Sequence, residues 1–270
     1  MSWLRLVIPI AMIALTIAIL PGCKTSPTST KAILWERELG AVAETPISPN
    51  RAHQELNLKV DLIPKGKYGR RIFRKMQPRY ITIHSTQNPT GDAYAHSKAL
   101  KRGALRGGVF GYLCWHFTVQ EDVVIQHIPT DERGEHADFD GPGNRYSIGI
   151  EMCEHRGNDQ IETMDRTAKL AATLMFYHQI PVENVRAHYH WPRDGYETPN
   201  KNCPHFLLEG GRPGTTWRWF VGRINRHHQR LVSYDESLRE KQEQEERDRR
   251  SREIVQLPCL HRFICIKSFA

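Results

Sequence analysis

Tyr80-Ile81-Thr82-Ile83-His84-Ser85-Thr86 is the clearest strand signal in this chain. Apolar and β-branched residues run up to His84, and the turn-forming residues 87–91 break the pattern after it. A polar side chain at the end of a buried strand points into a cleft more often than into the core. A single histidine is nevertheless more often structural than a ligand. A role for His84 therefore depends on partners elsewhere in the chain.

The same patterns predict the elements that surround this strand. Alternating or continuously apolar segments indicate further strands at 113–119, 123–128, 147–153 and 185–188. Apolar residues at helical spacing predict helices at 92–106, 162–179 and 216–228. Strands with helices between them are typical of an α/β fold, with a central mixed β-sheet flanked by helices. We expect a single domain over residues 77–229, which is large enough for an enzyme.

Composition limits the function classes. Hydrophobic residues make up 39% of the 270-residue chain, which suits one core with polar extensions. The formal net charge of +8 favours acidic partners such as nucleic acid, anionic lipid or an anionic cell-wall polymer. The sequence has no basic module with interleaved aromatic residues and no helix-turn-helix signature, so we expect no nucleic-acid partner. We expect a monomer.

The N-terminus resembles an export signal. An apolar run at 6–20 follows Arg5 and is shorter than the about 20 residues of a membrane span. Leu20-Pro21-Gly22-Cys23 resembles a bacterial lipobox, which makes 1–22 a lipoprotein signal peptide and Cys23 the lipidated residue. The alternative is an uncleaved N-terminal anchor. Both place the chain at a membrane on the periplasmic face, and Lys24 in place of aspartate favours the outer membrane.

Polar segments flank the domain. Residues 23–76 contain Thr, Ser and Pro and then a basic stretch, and they predict a tether followed by an arm packed on the domain. From residue 230 the chain is charged: Asp235 to Glu253 is almost entirely Glu, Arg, Lys and Gln. A helix that is polar all round buries nothing, so 230–270 is expected to be an exposed helix or a disordered tail.

A second histidine follows another predicted strand. His188 ends the 185–188 strand, and Cys203 lies in a loop further on. If this strand is a neighbour of the first, His84, His188 and Cys203 form a set of two nitrogens and one sulfur that suits Zn²⁺ and leaves one position open for catalysis. His190 or His205 could instead supply a fourth ligand and close a structural site.

Two other cysteines lie in strand-like stretches. Cys114 and Cys153 are expected to be buried thiols, with a disulfide between them as the alternative. Cys259 and Cys265 lie in the tail, and the pattern assigns them no role.

Four motifs together resemble a known family. They are Ile83-His84-Ser85-Thr86, Trp115-His116-Phe117, the segment 147–153, and His188 followed by Lys201-x-Cys203-Pro204. In this order they resemble the zinc-dependent N-acetylmuramoyl-L-alanine amidases, the type-2 amidases that include peptidoglycan-recognition proteins. The resemblance implies one zinc per chain bound by His84, His188 and Cys203. It also implies peptidoglycan or a muropeptide as substrate and cleavage between N-acetylmuramic acid and L-alanine.

The resemblance also suggests two catalytic residues. Glu151 lies on the strand face opposite Ile148 and Ile150 and matches a glutamate that acts as general base. Its alternative is an ordinary surface carboxylate. Lys201 matches a lysine that stabilises the oxyanion, and its alternative is a solvated loop lysine.

Three features depart from the family pattern. Trp115 stands where some members carry a catalytic tyrosine, and His136 lies in Glu135-His136-Ala137-Asp138 where others have Trp-His-Ala-Gly. We expect both Trp115 and His136 to contact substrate, with an ordinary loop histidine as the alternative for His136. The interval 189–200 is long and is expected to form a loop over the groove.

Two other functions compete with an enzyme. One is a non-catalytic peptidoglycan-binding module of the same fold, and the other is an exported scaffold protein with a structural zinc. Binding-only relatives typically lose the cysteine ligand, so the presence of Cys203 favours the enzyme.

Overall fold

A computed structural model describes residues 29–256 of the chain. Its central sheet has six strands: β1 (Leu58–Val60), β2 (Tyr80–Ser85), β3 (Phe117–Val119), β4 (Val124–Gln126), β5 (Ser147–Met152) and β6 (Val185–Ala187). The helices are α1 (Thr30–Leu39), α2 (Pro49–Glu55), α3 (Ala93–Lys101), α4 (Pro142–Tyr146), α5 (Gln160–His178) and α6 (Thr215–Gln256). A short hairpin, β7 (Leu208–Glu209) and β8 (Arg212–Pro213), precedes α6.

The sheet is mixed, as the sequence predicts. Its order is β1-β4-β3-β5-β2-β6, and β3 with β4 is the antiparallel pair among otherwise parallel neighbours. The α/β architecture with flanking helices is therefore confirmed. The three parallel strands β5, β2 and β6 lie side by side and carry the histidines and the glutamate discussed below.

The two faces of these strands differ in chemistry. On one face, Ile81 and Ile83 of β2 and Ile148 and Ile150 of β5 are fully buried in a core shared with α5 and α6. The register places His84 beside Glu151, so both belong to the opposite face. Because the isoleucines are buried on one face, the side chains of His84 and Glu151 lie on the other face, where the candidate site forms.

The helix α5 supports the apolar face. The Asp159 carboxylate accepts hydrogen bonds from the N–H groups of Ile161 at 2.9 Å and Glu162 at 3.0 Å, which caps the first turn. The helix ends at Gln179, whose φ of 53° is left-handed. The two ends of α5 therefore lie close to the predicted bounds, 162–179.

The last helix is longer than predicted. The Glu209 carboxylate caps its start by accepting from the N–H groups of Thr215 and Thr216. The helix then runs for 42 residues, and its packed part ends near the buried Leu231. The sequence suggested a helix at 216–228 and a separate charged segment. No glycine or proline interrupts 223–256, so the backbone continues as one helix.

The segment before β2 packs on the domain. The Trp35 ring lies 5.4 Å from that of Trp219, and Trp219 Nε1 donates to Glu36 at 2.7 Å. β1 adds a parallel strand beside β4. The sequence did not predict β1, because the three residues Leu58-Lys59-Val60 are too few to establish an alternating pattern.

Several sequence features lie outside the described residues, namely Cys23 with its preceding apolar run, and Cys259 and Cys265. Within 29–256, none of the helices combines the length and the hydrophobicity that a membrane crossing requires. Cys114 and Cys153 are both buried and free, so they do not form the alternative disulfide.

A buried carboxylate joins α5 to α6. Asp165 accepts from Arg223 Nε at 2.6 Å and lies 3.2 Å from His227 Nε2 and 2.8 Å from Lys169 Nζ. Burial raises the pKa of Asp165, but the hydrogen bond from His227 and the charges of Lys169 and Arg223 outweigh it and hold the pKa well below its usual range. The ionised carboxylate thus stabilises the folded state.

We expect Asp165→Asn to lower the free energy of unfolding at pH 7 by up to about 3–5 kcal/mol, because the buried Arg223 loses its nearest carboxylate and keeps only Glu36 at 3.5 Å. The folded pKa of Asp165 lies below the unfolded value of about 4, so its contribution is complete above that pH and disappears as pH falls. Urea unfolding at several pH values should therefore show a difference in free energy of unfolding between wild type and Asp165→Asn that narrows below about pH 4. Asp235→Asn, at an exposed pair with Arg239, should change little.

Candidate active site

Two histidines meet at one edge of the sheet. The register pairs Ile83 of β2 with Ala187 of β6, and His84 and His188 are the next residues along these parallel strands. Their ring centroids lie 4.4 Å apart with the planes at 72°. Since parallel strands end at the same edge of a sheet, this neighbourhood follows from the pairing.

A cysteine completes the cluster from a loop. Cys203 is buried, and its Sγ accepts a hydrogen bond from the Ser85 N–H at 3.3 Å. One ligand atom each from His84, His188 and Cys203 lies within 4.8 Å of the others. The structure therefore brings together the three residues predicted as zinc ligands.

The free atoms of this cluster suit zinc. His188 Nε2 hydrogen-bonds to the Ala137 carbonyl at 3.0 Å, and its buried Nδ1 has no partner. His84 Nε2 is engaged by His136 Nδ1 at 3.0 Å, which leaves His84 Nδ1. Two imidazole nitrogens and one sulfur form a typical donor set for catalytic zinc. The residues present thus fit the metal that the sequence predicts.

Burial sets the protonation states before any metal is bound. It lowers the pKa of His188 to about 3 and that of His84 well below its usual value, so both rings are neutral, as ligands must be. Burial raises the pKa of the Cys203 thiol to about 12. Metal binding at Cys203 must therefore release a proton.

Glu151 stands beside the cluster. Its Oε1 lies 3.8 Å from His84 Nδ1, and its buried Oε2 has no hydrogen-bond partner. Burial raises the pKa of Glu151 to about 8, while the charge of Lys201 acts in the opposite direction. A carboxyl group tuned in this way can exchange a proton near neutral pH.

The two histidines considered as a fourth ligand lie elsewhere. His190 Nδ1 accepts from the Ala187 N–H at 3.0 Å, and His205 Nε2 lies 3.5 Å from Glu154. Neither belongs to the metal-ligand cluster found within residues 29–256. In this part of the chain the set stays at three ligands, which matches an open catalytic site rather than a closed structural one.

The cluster forms the floor of a cleft of about 460 Å³. All the predicted site residues of the domain line it: His84, Trp115, His136, Glu151, His188, Lys201 and Cys203. Lys201 is exposed, whereas Trp115 and His136 are buried. Trp115 Nε1 donates a hydrogen bond to Thr118 Oγ1 at 2.8 Å, which holds the indole ring in place.

Residues 74–206 match the family model described as N-acetylmuramoyl-L-alanine amidase. The chain is 38% identical over 172 residues to N-acetylmuramoyl-L-alanine amidase XlyA of Bacillus subtilis (strain 168), covering 63% of this chain and 51% of the relative. The solved catalytic domain of XlyA is also 38% identical, with a TM-score of 0.51, and the match covers 62% of this chain and 99% of that domain. The chain belongs to this amidase family.

The likeness is concentrated in the domain. A second amidase of the same organism, CwlH, is 37% identical over 174 residues, which cover 63% of this chain and 62% of CwlH. The chain thus spans about half to three-fifths of the length of these curated relatives. The family resemblance carried by the four motifs is confirmed, and His84, His188 and Cys203 all lie within the matched residues.

One wall of the cleft in this amidase-family chain could not be predicted from the sequence. The rings of Phe139 and Tyr196 stack with centroids 5.7 Å apart and planes at 14°, and the Arg193 guanidinium lies 4.4 Å from the Tyr196 centroid. We call Phe139, Arg193 and Tyr196 the aromatic ledge. All three line the cleft. The long interval 189–200 was the available signal, but it does not reveal which side chains turn inward.

One residue of the ledge has a strained backbone. Phe139 has a φ of 58°, which is unusual for a bulky residue. Asn144 Nδ2 donates to the Phe139 carbonyl, and Asp138 accepts from the N–H groups of Gly143 and Asn144 at 2.8 Å each. Strain that is stabilised by so many hydrogen bonds is typical of functional sites.

Proposed function

We propose that this chain hydrolyses the amide bond between N-acetylmuramic acid and L-alanine in peptidoglycan. The observation that carries the proposal is the unpartnered Glu151 carboxyl group, 3.8 Å from His84 in the cleft that also contains His188 and Cys203. The family and its named relatives support the same reaction. One zinc ion per chain is part of the proposal, with the two histidines and the cysteine as its ligands.

Each residue then has a defined task. A zinc ion held by His84, His188 and Cys203 would supply Lewis acidity toward water and the scissile carbonyl. Glu151, in its ionised form, takes the proton of the attacking water and delivers it to the departing alanine nitrogen. Lys201, exposed at the cleft, stabilises the negative charge that develops on the carbonyl oxygen.

The test uses the full-length chain loaded with zinc and purified peptidoglycan. Mass spectrometry should detect free stem peptides that begin with L-alanine, together with glycan that has lost its peptides. Binding to peptidoglycan without release would favour the non-catalytic module. Bound zinc without either property would favour the scaffold with a structural metal. Either result would contradict the proposed hydrolysis.

The aromatic ledge suggests where the sugar lies. The exposed fractions of Phe139 and Tyr196 are 36% and 48%, so the stacked rings offer apolar surface at the cleft. Pyranose rings present C–H faces that pack on aromatic rings. We therefore assign the N-acetylmuramic acid ring to the ledge, and we place the stem peptide toward residues 105–108, which line the same cleft.

We expect Tyr196→Ala to raise KM for a muramyl peptide by about tenfold, which corresponds to about 1.4 kcal/mol of lost contact, and to change kcat less than about threefold. Steady-state assays on N-acetylmuramoyl-peptide provide the measurement. Tyr177→Ala is the matched control, since Tyr177 is similarly exposed on α5 and lies outside the cleft. A fall in kcat at unchanged KM would contradict the assignment.

We also propose that the chain is an exported lipoprotein, anchored through Cys23 on the periplasmic face of a membrane, with the outer membrane favoured. The support is the apolar run followed by Leu20-Pro21-Gly22-Cys23. Cys23→Ala should move the protein from the membrane fraction to the soluble fraction, measured by immunoblot after fractionation. Retention of the variant in membranes would favour the uncleaved anchor.

A further inference from the structure

We propose that His136 is a positioning residue that sets the tautomer and orientation of His84, so that His84 offers Nδ1 as a metal ligand. The inference deepens the proposed function and rests on its metal site, but not on the proposed hydrolysis. Its observations are a chain of two hydrogen bonds and a tightly enclosed ring, both described below. The sequence motif predicts that His136 contacts substrate. In this proposal His136 acts through His84 instead.

The hydrogen-bond chain has one consistent direction. His136 Nε2 lies 3.3 Å from the Ser147 carbonyl, which can only accept, so this nitrogen carries a proton. When Nε2 of a neutral imidazole carries the proton, its Nδ1 is a bare acceptor. His84 Nε2, 3.0 Å away, must then donate. A neutral His84 protonated at Nε2 has its lone pair on Nδ1.

The His136 ring is confined before any metal binds. A Cβ added at Gly149 would lie 2.8 Å from three atoms of the ring, and one at Gly134 would lie 2.7 Å from its Cδ2. The missing side chains at both glycines therefore leave space for this imidazole. Gly149 belongs to β5, so the His136 ring packs directly against the central sheet, and this contact fixes its position.

The neighbouring residue orients the other histidine ligand. The Ala137 carbonyl accepts from His188 Nε2 at 3.0 Å, which likewise leaves Nδ1 for the metal. Asn144 Oδ1 accepts from the N–H groups of His136 at 2.8 Å and Ala137 at 2.7 Å. One two-residue segment, held by one amide, thus supports both imidazole ligands.

The two histidine ligands differ in the group that accepts a hydrogen bond from their Nε2. His188 relies on a backbone carbonyl, whereas His84 relies on a side chain that can be replaced. In His136→Asn, the amide Oδ1 occupies the place of Nδ1 and still accepts from His84. In His136→Gln, the amide reaches the place of Nε2 and leaves His84 Nε2 without its acceptor. His136→Leu removes both functions.

The first experiment measures zinc affinity of the full-length chain by competition with a chromophoric chelator. We expect His136→Asn to remain within about threefold of wild type, and His136→Gln and His136→Leu to bind about 10–100-fold more weakly. Equal weakening in the Asn and Gln variants, or no weakening in any, would overturn the inference. This measurement needs no peptidoglycan, so it can succeed even if the proposed hydrolysis fails.

The second experiment uses the wild-type protein and therefore does not depend on whether the variants fold. Long-range ¹H–¹⁵N NMR correlations of the metal-free full-length chain distinguish the two neutral imidazole tautomers. We expect His84 and His136 both to be protonated at Nε2, and His84 to keep that form when zinc is added. A His136 ring protonated at Nδ1 would overturn the inference.

Discussion

Cys203→Ala should abolish both zinc binding and hydrolysis. The substitution removes the sulfur from the cluster with His84 and His188 and leaves two neutral imidazoles, which bind zinc far more weakly than three ligands do. Because changes even to outer-shell residues cost about 10–100-fold in affinity, losing a direct ligand should cost more than about 100-fold. Metal analysis after gel filtration and release of stem peptide give the two measurements.

The chain offers a matched control for this change. Cys153 is also a buried free thiol, but it lies outside the metal-ligand cluster. Cys153→Ala should keep about one zinc per chain and most of the activity, at the stability cost of a small cavity. Full activity in Cys203→Ala, or equal loss in the two variants, would refute the assignment of Cys203 as a ligand.

Glu151→Gln should keep zinc and lose turnover. The amide preserves the shape of the carboxyl group but cannot accept the proton of water and return it to the leaving nitrogen. General acid–base catalysis contributes about 10²–10⁴-fold, so kcat should fall by that factor while zinc content stays at the wild-type level. Single-turnover assays on a muramyl peptide measure the loss.

Glu154→Gln tests whether the loss is specific to position 151. Glu154 accepts from the Gln87 N–H at 3.2 Å and contributes to the negative field at Glu151, but it does not line the cleft. Its substitution should change kcat less than about threefold. Near-normal activity in Glu151→Gln would exclude it as the base, and loss of zinc there would make its role structural.

The elements that carry the ligands were predictable because their signals are local. β-branched residues and a turn delimit β2, and alternation of Ile148 and Ile150 with polar residues identifies β5 and the side on which Glu151 lies. The short strand before His188 was found for the same reason. Each of these predictions needs only the period of one segment.

Features that depend on contacts between distant segments were not predictable in this way. β1 has too few residues to show a period and forms only because β4 offers it a free edge. The aromatic ledge joins Phe139 to Tyr196 across a long interval of sequence, and a loop without periodicity does not reveal which side chain points inward.

By itself, the sequence determined the α/β class, the strands that end at His84 and His188, and the residue types of the candidate metal site. Only the tertiary structure decided how these side chains meet. The register that pairs His84 with Glu151, and the enclosed ring of His136 behind His84, arise from strand pairing and close packing. Such contacts join residues far apart in the chain, and their geometry follows from the way the whole core fills space.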